Sequence, residues 1–327
     1  MSAGILAHPA APVPTDPAAA GAADAVYFPG LVPTPFASLA AFLTGNEHAR
    51  RLLPVADEVL GYRLLDRGRD ADIYDWEVFE TAHVLVGLAL ARGAERVTRT
   101  RPIAAGGQSF GAITAAVHAG VIGLADAVRL IVASTREEIA YFESLSTPVG
   151  TLFFYRLTTT QVTDLAAAAA GAGRPVEVSV HLDNLVHAVC GTLDDLEDFA
   201  GRVRRAGGHV FYRMNRSEHC RSLDPLRLRL EQLVYRQFSW RDPQVPLISD
   251  VHGGLLPSGS AVMTDLLAGW VTPVHWSVVA DGLTASGARR ILVVGPPSMF
   301  TRLIGRSVPT VEVSPRSPVP ARGRAGR

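Results

Sequence analysis

A serine between two glycines is the first candidate for chemistry in this sequence. The run Gly107-Gln108-Ser109-Phe110-Gly111 follows an apolar stretch ending at Ala105 and precedes a stretch of helical character. A strand, a sharp turn and a helix in that order form a nucleophile elbow, which exposes the serine hydroxyl at a helix N-terminus. Unpaired N–H groups there can stabilise a developing negative charge. The sequence therefore predicts that Ser109 is a nucleophile; an ordinary glycine turn is the alternative, because the chain has 30 glycines.

A serine nucleophile needs a base within hydrogen-bond reach, and that base is usually a histidine. The chain offers ten histidines. His219 is favoured because it lies in the segment 217–226, which joins a predicted strand to a predicted helix at the junction between two predicted domains. Substrate sites tend to form in such clefts. We therefore expect His219 to be the base.

Composition excludes several classes of function. Hydrophobic residues make up 48% of the 327 residues, charged residues make up 19%, and the formal net charge is zero, so no nucleic acid or membrane partner is indicated. No apolar run approaches the roughly 18 residues that span a bilayer. Cys190 and Cys220 lack the spacing of a metal site. We expect a reduced, cytoplasmic protein without a metal.

The order of predicted elements indicates an α/β fold. A large α/β-hydrolase-like domain with a parallel sheet is interrupted by the pattern strand, helix, strand, strand, helix, strand, which is the βαββαβ order of a ferredoxin-like module. Both ends are rich in Pro and small or polar residues, and the first two dozen residues lack the pattern of a signal peptide. The predicted division is a disordered tail at 1–24, a large catalytic domain at 25–146 and 215–306, a small domain at 147–214, and a disordered tail at 307–327.

Several short motifs occur together in one order. They are Tyr27-Phe28-Pro29-Gly30, the Ser109 pentapeptide, the segment 119–127, the segment 219–225, Pro273-Val274-His275-Trp276 and Val294-Gly295-Pro296. In order and spacing they resemble the malonyl-CoA:acyl-carrier-protein transacylases and the acyltransferase domains of polyketide synthases, over residues 25–306. The inserted ferredoxin-like module agrees with that resemblance.

The resemblance implies a Ser109/His219 dyad. The serine would take an acyl group from a thioester, and the thiol of a second phosphopantetheine arm would then remove it. Acyl carrier proteins would be donor and acceptor; the phosphopantetheine is theirs, and the enzyme itself would bind no cofactor. The family's oxyanion hole falls on the N–H groups of Leu31 and Phe110.

The family orients its histidine with a backbone carbonyl, and the matching segment here is Ser249-Asp250. An ordinary turn residue is the alternative for Asp250.

The departures from the family pattern concern the acyl pocket. Malonyl-type members hold the substrate carboxylate with an arginine, and the aligned position here is Ser134; Arg136 lies on another helical face. The residue before the histidine is Glu218, and the residue before the nucleophile is Gln108. These three positions, Gln108, Ser134 and Glu218, are the expected substrate-binding residues, and malonyl transfer is not expected.

The lost cation and the new anion suggest an acyl group that carries an amine, paired with Glu218 directly or through water. The alternative is that Glu218 faces solvent or pairs with an arginine such as Arg216 or Arg221. Within the family, the chain most resembles discrete transferases of macrolactam polyketide biosynthesis, of the vicenistatin type, which move an aminoacyl or dipeptidyl starter between two carrier proteins. Carrier proteins present an acidic helix, so arginines at the cleft mouth would favour docking. The candidates are Arg156, Arg302, Arg213 and Arg216.

Two other functions remain open from the sequence. A hydrolase that releases the acyl group from a carrier protein to water would use the same dyad. A catalytically inactive carrier-protein docking module is the second alternative, although both dyad residues are present.

Overall fold

The computed structural model describes residues 23–31, 34–72, 74–296 and 308–318 of the chain. The strands in this part are β1 (Asp24–Phe28), β2 (Ala104–Gly107), β3 (Val149–Tyr155), β4 (Glu177–Asp183), β5 (Val186–Thr192), β6 (His209–Met214), β7 (Leu247–Ile248), β8 (Leu255–Leu256), β9 (Val274–His275), β10 (Arg290–Val294) and β11 (Thr310–Val313). The α-helices are α1 (Phe36–Gly45), α2 (Glu47–Leu60), α3 (Leu64–Arg67), α4 (Trp76–Thr98), α5 (Gly111–His118), α6 (Leu124–Ser144), α7 (Thr159–Gly171), α8 (Leu193–Arg205), α9 (Asp224–Leu233), α10 (Gly259–Gly269) and α11 (Trp276–Ala285).

The larger sheet has the strand order β11-β10-β1-β2-β7-β8 in the described residues. Every pairing is parallel except β7 with β8. All five residues of β1 are buried, which is typical of a parallel strand covered on both faces. Val26 and Phe28 face the cluster formed with α1, α2, α4 and α5, whereas Ala25 and Tyr27 face α11. The sheet is therefore a central layer between two helical layers.

Helix α4 is the longest of the described helices and packs against the sheet as a nearly buried element. Its run of Ala, Leu and Val is compatible with burial on most sides, and Asp75 caps its first turn by accepting the Val78 N–H. Glu80 is nevertheless buried near its N-terminal end. A charged side chain in such a position requires a partner.

The smaller sheet has the strand order β6-β3-β5-β4-β9. Elements β3 to β6, with α7 and α8 between them, follow the order βαββαβ that the sequence predicts. Leu152, Phe154 and Phe199 are fully buried in its own core. The fifth strand, β9, comes from the end of the chain segment that follows α10, and it pairs in parallel with β4. The structure is thus the predicted mixed α/β fold with two sheets.

The C-terminal tail prediction is wrong for the residues that the structure describes. Thr310–Val313 forms β11, which pairs in parallel with β10 and extends the larger sheet. The open edge of β10 supplies unpaired backbone groups, and Val313 is fully buried against the core. At the other end, Asp24 already belongs to β1, where its carboxylate accepts two bonds from Arg290 at 2.6 and 2.8 Å.

Within the described residues, no helix combines the length and the apolar character needed to cross a bilayer.

The core of the smaller sheet gives a stability prediction. Phe199→Ala should lower the free energy of unfolding by about 3–5 kcal/mol, because the fully buried ring leaves a cavity between α8 and the sheet. Leu228→Ala on α9 is the control, since Leu228 is 41% exposed and should change the stability by less than about 0.5 kcal/mol. Urea unfolding followed by circular dichroism measures both. Equal effects of the two substitutions would contradict this packing.

Candidate active site

Ser109 lies in a sharp turn between β2 and α5, as the elbow motif predicts. Its φ is 54°, in the left-handed region that residues with a Cβ adopt rarely. Such backbone strain persists only where the surroundings hold it, and it is found frequently at functional sites. The turn exposes the hydroxyl at the start of α5.

The two flanking glycines are required by close backbone approach. A Cβ on Gly107 would lie 2.1 Å from the Gly111 carbonyl oxygen, and a Cβ on Gly111 would lie 2.1 Å from the Phe28 carbonyl oxygen. Any side chain at either position would force β1, β2 and α5 apart. The glycines therefore allow the turn to be compact enough to present Ser109.

His219 completes a hydrogen-bonded pair with the serine. Its Nε2 is 2.7 Å from Ser109 Oγ, and its Nδ1 is 2.7 Å from the Gly269 carbonyl oxygen. A carbonyl only accepts, so Nδ1 carries the proton and Nε2 is free to accept from the hydroxyl. Burial lowers the pKa of His219 below its ordinary value of 6.5, which keeps the ring neutral. The pair has the geometry of a nucleophile and its general base.

The prediction that Ser249-Asp250 orients the histidine is wrong. The orienting group is the carbonyl of Gly269, at the C-terminal end of α10, where helix carbonyls lack partners within the helix. Ser249 donates to the Asp265 carboxylate at 2.5 Å. Asp250 instead accepts the backbone N–H of Ser109 at 2.6 Å, so it supports the strained turn.

The dyad lies between two cavities. The first, which we call the charged cavity, has a volume of about 80 Å³ and is lined by the dyad together with Ser134, Glu80, Glu138, Glu218 and Arg216. The second, the apolar cavity, has a volume of about 140 Å³ and is lined by the dyad together with Leu31, Phe153, Leu182, Phe211, Met214 and Val274. A carbonyl at the dyad could therefore extend a chain in each direction.

The charged cavity contains a buried ion cluster centred on Arg216. The guanidinium donates to Glu218 at 2.8 Å, to Glu138 at 2.7 Å and to Glu80 at 3.0 Å. Its carbon lies 4.0 Å from the centre of the Trp76 ring. The sequence analysis missed Glu80 and Glu138. For Glu80 the available signal was a glutamate in the largely apolar first half of α4, whereas Glu138 follows Arg136 and Glu137 in a charged stretch of α6 and gave no such signal. Glu218 pairs with Arg216, so the alternative that this residue binds an arginine is the one that the structure shows.

The remaining predicted substrate residues lie in different places. Ser134 lines the charged cavity, whereas Gln108 lines the apolar cavity and accepts the Tyr27 hydroxyl at 2.5 Å. Leu31 also lines the apolar cavity beside Ser109, and Phe110 follows the serine at the start of α5.

The four arginines predicted to dock a carrier protein differ in their exposure. Arg156 is exposed beside the Tyr155 ring, and Arg213 donates to Glu197 at 2.6 Å near the surface. The docking role predicted for Arg216 is wrong, because its side chain is only 8% exposed and three carboxylates hold it inside. Arg302 lies outside the described residues.

The α/β fold, the strained elbow and the neutral histidine together have the features of a site built around a serine nucleophile and its base. No family model matches the chain. The chain is 25% identical over 297 residues to the malonyl CoA-acyl carrier protein transacylase of Escherichia coli K12, covering 89% of this chain and 94% of that protein.

Solved structures agree in fold. FabD from Acinetobacter baumannii matches with a TM-score of 0.77 at 18% identity, covering 90% of this chain and 95% of that one. A malonyl-transacylase in complex with a type II polyketide synthase acyl-carrier protein matches with a TM-score of 0.79 at 21% identity, covering 89% and 96%. The chain is thus similar in sequence to malonyl CoA-acyl carrier protein transacylases, and the solved structures show the shared fold.

The lowered pKa of His219 predicts a pH profile. Acylation of Ser109 requires the neutral ring, so the rate should fall with decreasing pH only at a midpoint below 6.5. Glu218→Gln should move this midpoint lower still, because the Glu218 charge raises the pKa of His219. Single-turnover acylation measures the profile. Burial raises the pKa of Asp250 to about 7, so Asp250→Asn is the control that identifies the limb belonging to His219. A midpoint above 6.5 in the wild-type protein and in Asp250→Asn would contradict the assignment of His219 as the base.

The bond from Ser109 N–H to Asp250 gives a second prediction. Asp250→Ala should slow acylation by roughly 10- to 100-fold, the value of a hydrogen bond to a charged group, because the strained turn loses its partner. Asp250→Asn should reduce the acylation rate less, since the amide oxygen of asparagine can still accept the Ser109 N–H. Burst-phase acylation measures the rates, and thermal unfolding of both variants checks the fold. A wild-type rate in Asp250→Ala would remove this role.

Proposed function

We propose that the protein is an acyltransferase that moves an acyl group between two acyl carrier proteins through an acyl-serine on Ser109. The observation that carries the proposal is the 2.7 Å contact between Ser109 Oγ and the neutral His219, at the point where two cavities meet. The sequence relatives bear the name malonyl CoA-acyl carrier protein transacylase, and one structural neighbour is a complex with an acyl-carrier protein.

In the first half-reaction, His219 Nε2 takes the proton of the Ser109 hydroxyl as Oγ attacks the thioester carbon. The tetrahedral oxyanion would accept the N–H groups of Phe110 and Leu31, which is the role the family resemblance implies for them. The carbon–sulfur bond then breaks, and the leaving thiolate takes the proton from His219. The acyl group remains on Ser109.

In the second half-reaction, the thiol of the acceptor's phosphopantetheine arm gives its proton to His219 and attacks the acyl-serine carbonyl. The bond to Ser109 Oγ breaks, and the serine regains its proton from the ring. The apolar cavity would hold the arm, because Phe153, Phe211 and Met214 give it a largely apolar wall. Glu218, its one acidic lining residue among the described residues, is paired with Arg216.

The acyl group is proposed to carry an amine and not a second carboxylate. A malonyl carboxylate needs a free cation, and Arg216 is the only arginine among the described residues that lines the charged cavity. Its donors already meet three glutamates. Aminoacyl or dipeptidyl transfer in macrolactam polyketide biosynthesis is the specific process that this pocket and the resemblance favour.

Docking of an acidic carrier-protein helix is proposed at Arg156 and at Arg213, which lies in β6 of the smaller sheet. Arg302 is proposed for the same role from the resemblance alone. Arg156 is exposed and has a φ of 74°, so the backbone holds it in an unusual conformation. Electrostatic contacts of this kind mainly increase the rate of association.

Intact-protein mass spectrometry tests the function. A panel of acyl-carrier thioesters should add one acyl mass to the wild-type protein and none to Ser109→Ala, and adding a second carrier protein should transfer that mass to it. Ser217→Ala, a nearby serine outside the dyad, is the control and should acylate. Release of free acid with no transfer to any acceptor would favour a hydrolase. Failure of Ser109 to acquire a mass from any thioester would favour an inactive docking module.

A further inference from the structure

The wall of the charged cavity has more acidic than basic side chains. Three carboxylates share one guanidinium, and the hydrogen bonds from Arg216 use one oxygen of each of Glu80, Glu138 and Glu218. No other arginine among the described residues lines this cavity, and His219 is neutral. The cavity therefore has an excess of acceptor oxygens next to the nucleophile.

Burial makes this excess costly in the absence of a second cation. The side chains of Glu80 and Glu138 are only 5% and 4% exposed. Burial raises the pKa of both carboxyl groups, and Arg216 offsets that effect only in part. A second positive charge in the cavity would allow both groups to be ionised and paired. Charge balance therefore favours a cationic ligand.

Ser134 provides an independent sign of a ligand. It lies one helical turn before Glu138 on α6, so the two side chains share a face. Ser134 is 6% exposed and lines the charged cavity. Its hydroxyl makes no well-aligned hydrogen bond within the described residues, and its polar neighbour is the Tyr235 hydroxyl in the same cavity wall. The small side chain of Ser134 leaves space beside the Glu138 carboxylate. A buried polar atom without a well-aligned partner normally has one in the functional state.

We infer that the charged cavity is a binding site for a primary ammonium at the end of the acyl group, with Glu138 and Glu80 as its carboxylate partners and the Ser134 hydroxyl as a third acceptor. An ammonium has three N–H donors, which these three groups match. Glu218 stays paired with Arg216 beside His219. This inference rests on the proposed function, because the acyl group must first reach Ser109. It moves the recognition of the amine from Glu218 to residues on α4 and α6.

Two thioesters of equal size test the site. β-Alanyl-pantetheine and butyryl-pantetheine differ by an ammonium in place of a methyl group, and the rate of Ser109 acylation by each is measured by intact-protein mass spectrometry. The wild-type protein should prefer the β-alanyl group by about 10- to 100-fold, the range expected of charge-assisted hydrogen bonds. This ratio needs no variant, so it does not depend on whether a substituted cluster folds.

Variants then assign the residues. Glu138→Gln, and separately Glu80→Gln, should lower the ratio toward one by reducing the β-alanyl rate, while the butyryl rate reports whether the dyad is intact. Glu137→Gln is the matched control, because Glu137 is the neighbouring residue of α6 and pairs with Arg229 at the surface. It should keep the wild-type ratio.

The outcomes separate this inference from the proposed function. Acylation by both thioesters at equal rates in the wild-type protein would overturn the ammonium site and leave the acyltransferase intact. A wild-type ratio in both Glu138→Gln and Glu80→Gln would overturn the assignment to these carboxylates. Acylation by neither of these thioesters nor by any acyl-carrier thioester would overturn the proposed function and the site with it.

Discussion

The hydrogen bond between His219 Nδ1 and the Gly269 carbonyl is the interaction on which the site depends. It fixes the tautomer that leaves Nε2 free for Ser109, 2.7 Å away. The three groups come from distant parts of the chain: the turn after β2, the segment after β6 and the end of α10. Both side-chain members have a φ above 50°, so the backbone at each is held by its surroundings. The fold serves chiefly to bring these strained positions together.

The Arg216 cluster is not needed to position the Ser109–His219 pair, and its burial is costly. Removing four charged groups from water is costly, and apolar residues of similar volume would often be at least as stable. The cluster is therefore weak evidence of stability, and its clearest effect is the electrostatic environment that it creates beside the nucleophile. The environment here is rich in carboxylate oxygens, whereas a dicarboxylic acyl group needs a free cation. The cluster also explains how the pocket can contain an arginine without offering it to a substrate.

The sequence was sufficient for the features that depend on side-chain type and local pattern. The strand, turn and helix around Ser109 and the βαββαβ order of the smaller sheet were predicted correctly, because glycine spacing and alternation have direct local causes. Ser109 and His219 also lie in hydrogen-bond contact, as expected. The Gly269 carbonyl could not be predicted, since every residue has a carbonyl and only the tertiary position of α10 selects this one. Arg216 was predicted at the cleft mouth because two of its three carboxylate partners, Glu138 and Glu80, lie 78 and 136 positions away in sequence. Strand β11 was missed because its four residues are surrounded by Pro, Ser and Arg.

Strand β9 has a consequence for how the cleft admits a long substrate. Val274 is five positions after Gly269, and it pairs with Val180 of the smaller sheet. The smaller sheet is thus tied to the carbonyl that aligns the imidazole. If the two sheets moved apart, either the β4–β9 pairing would break or the Gly269 carbonyl would move and His219 would lose its orientation. We therefore expect a long substrate to enter the cleft by movement of side chains, with the two sheets fixed.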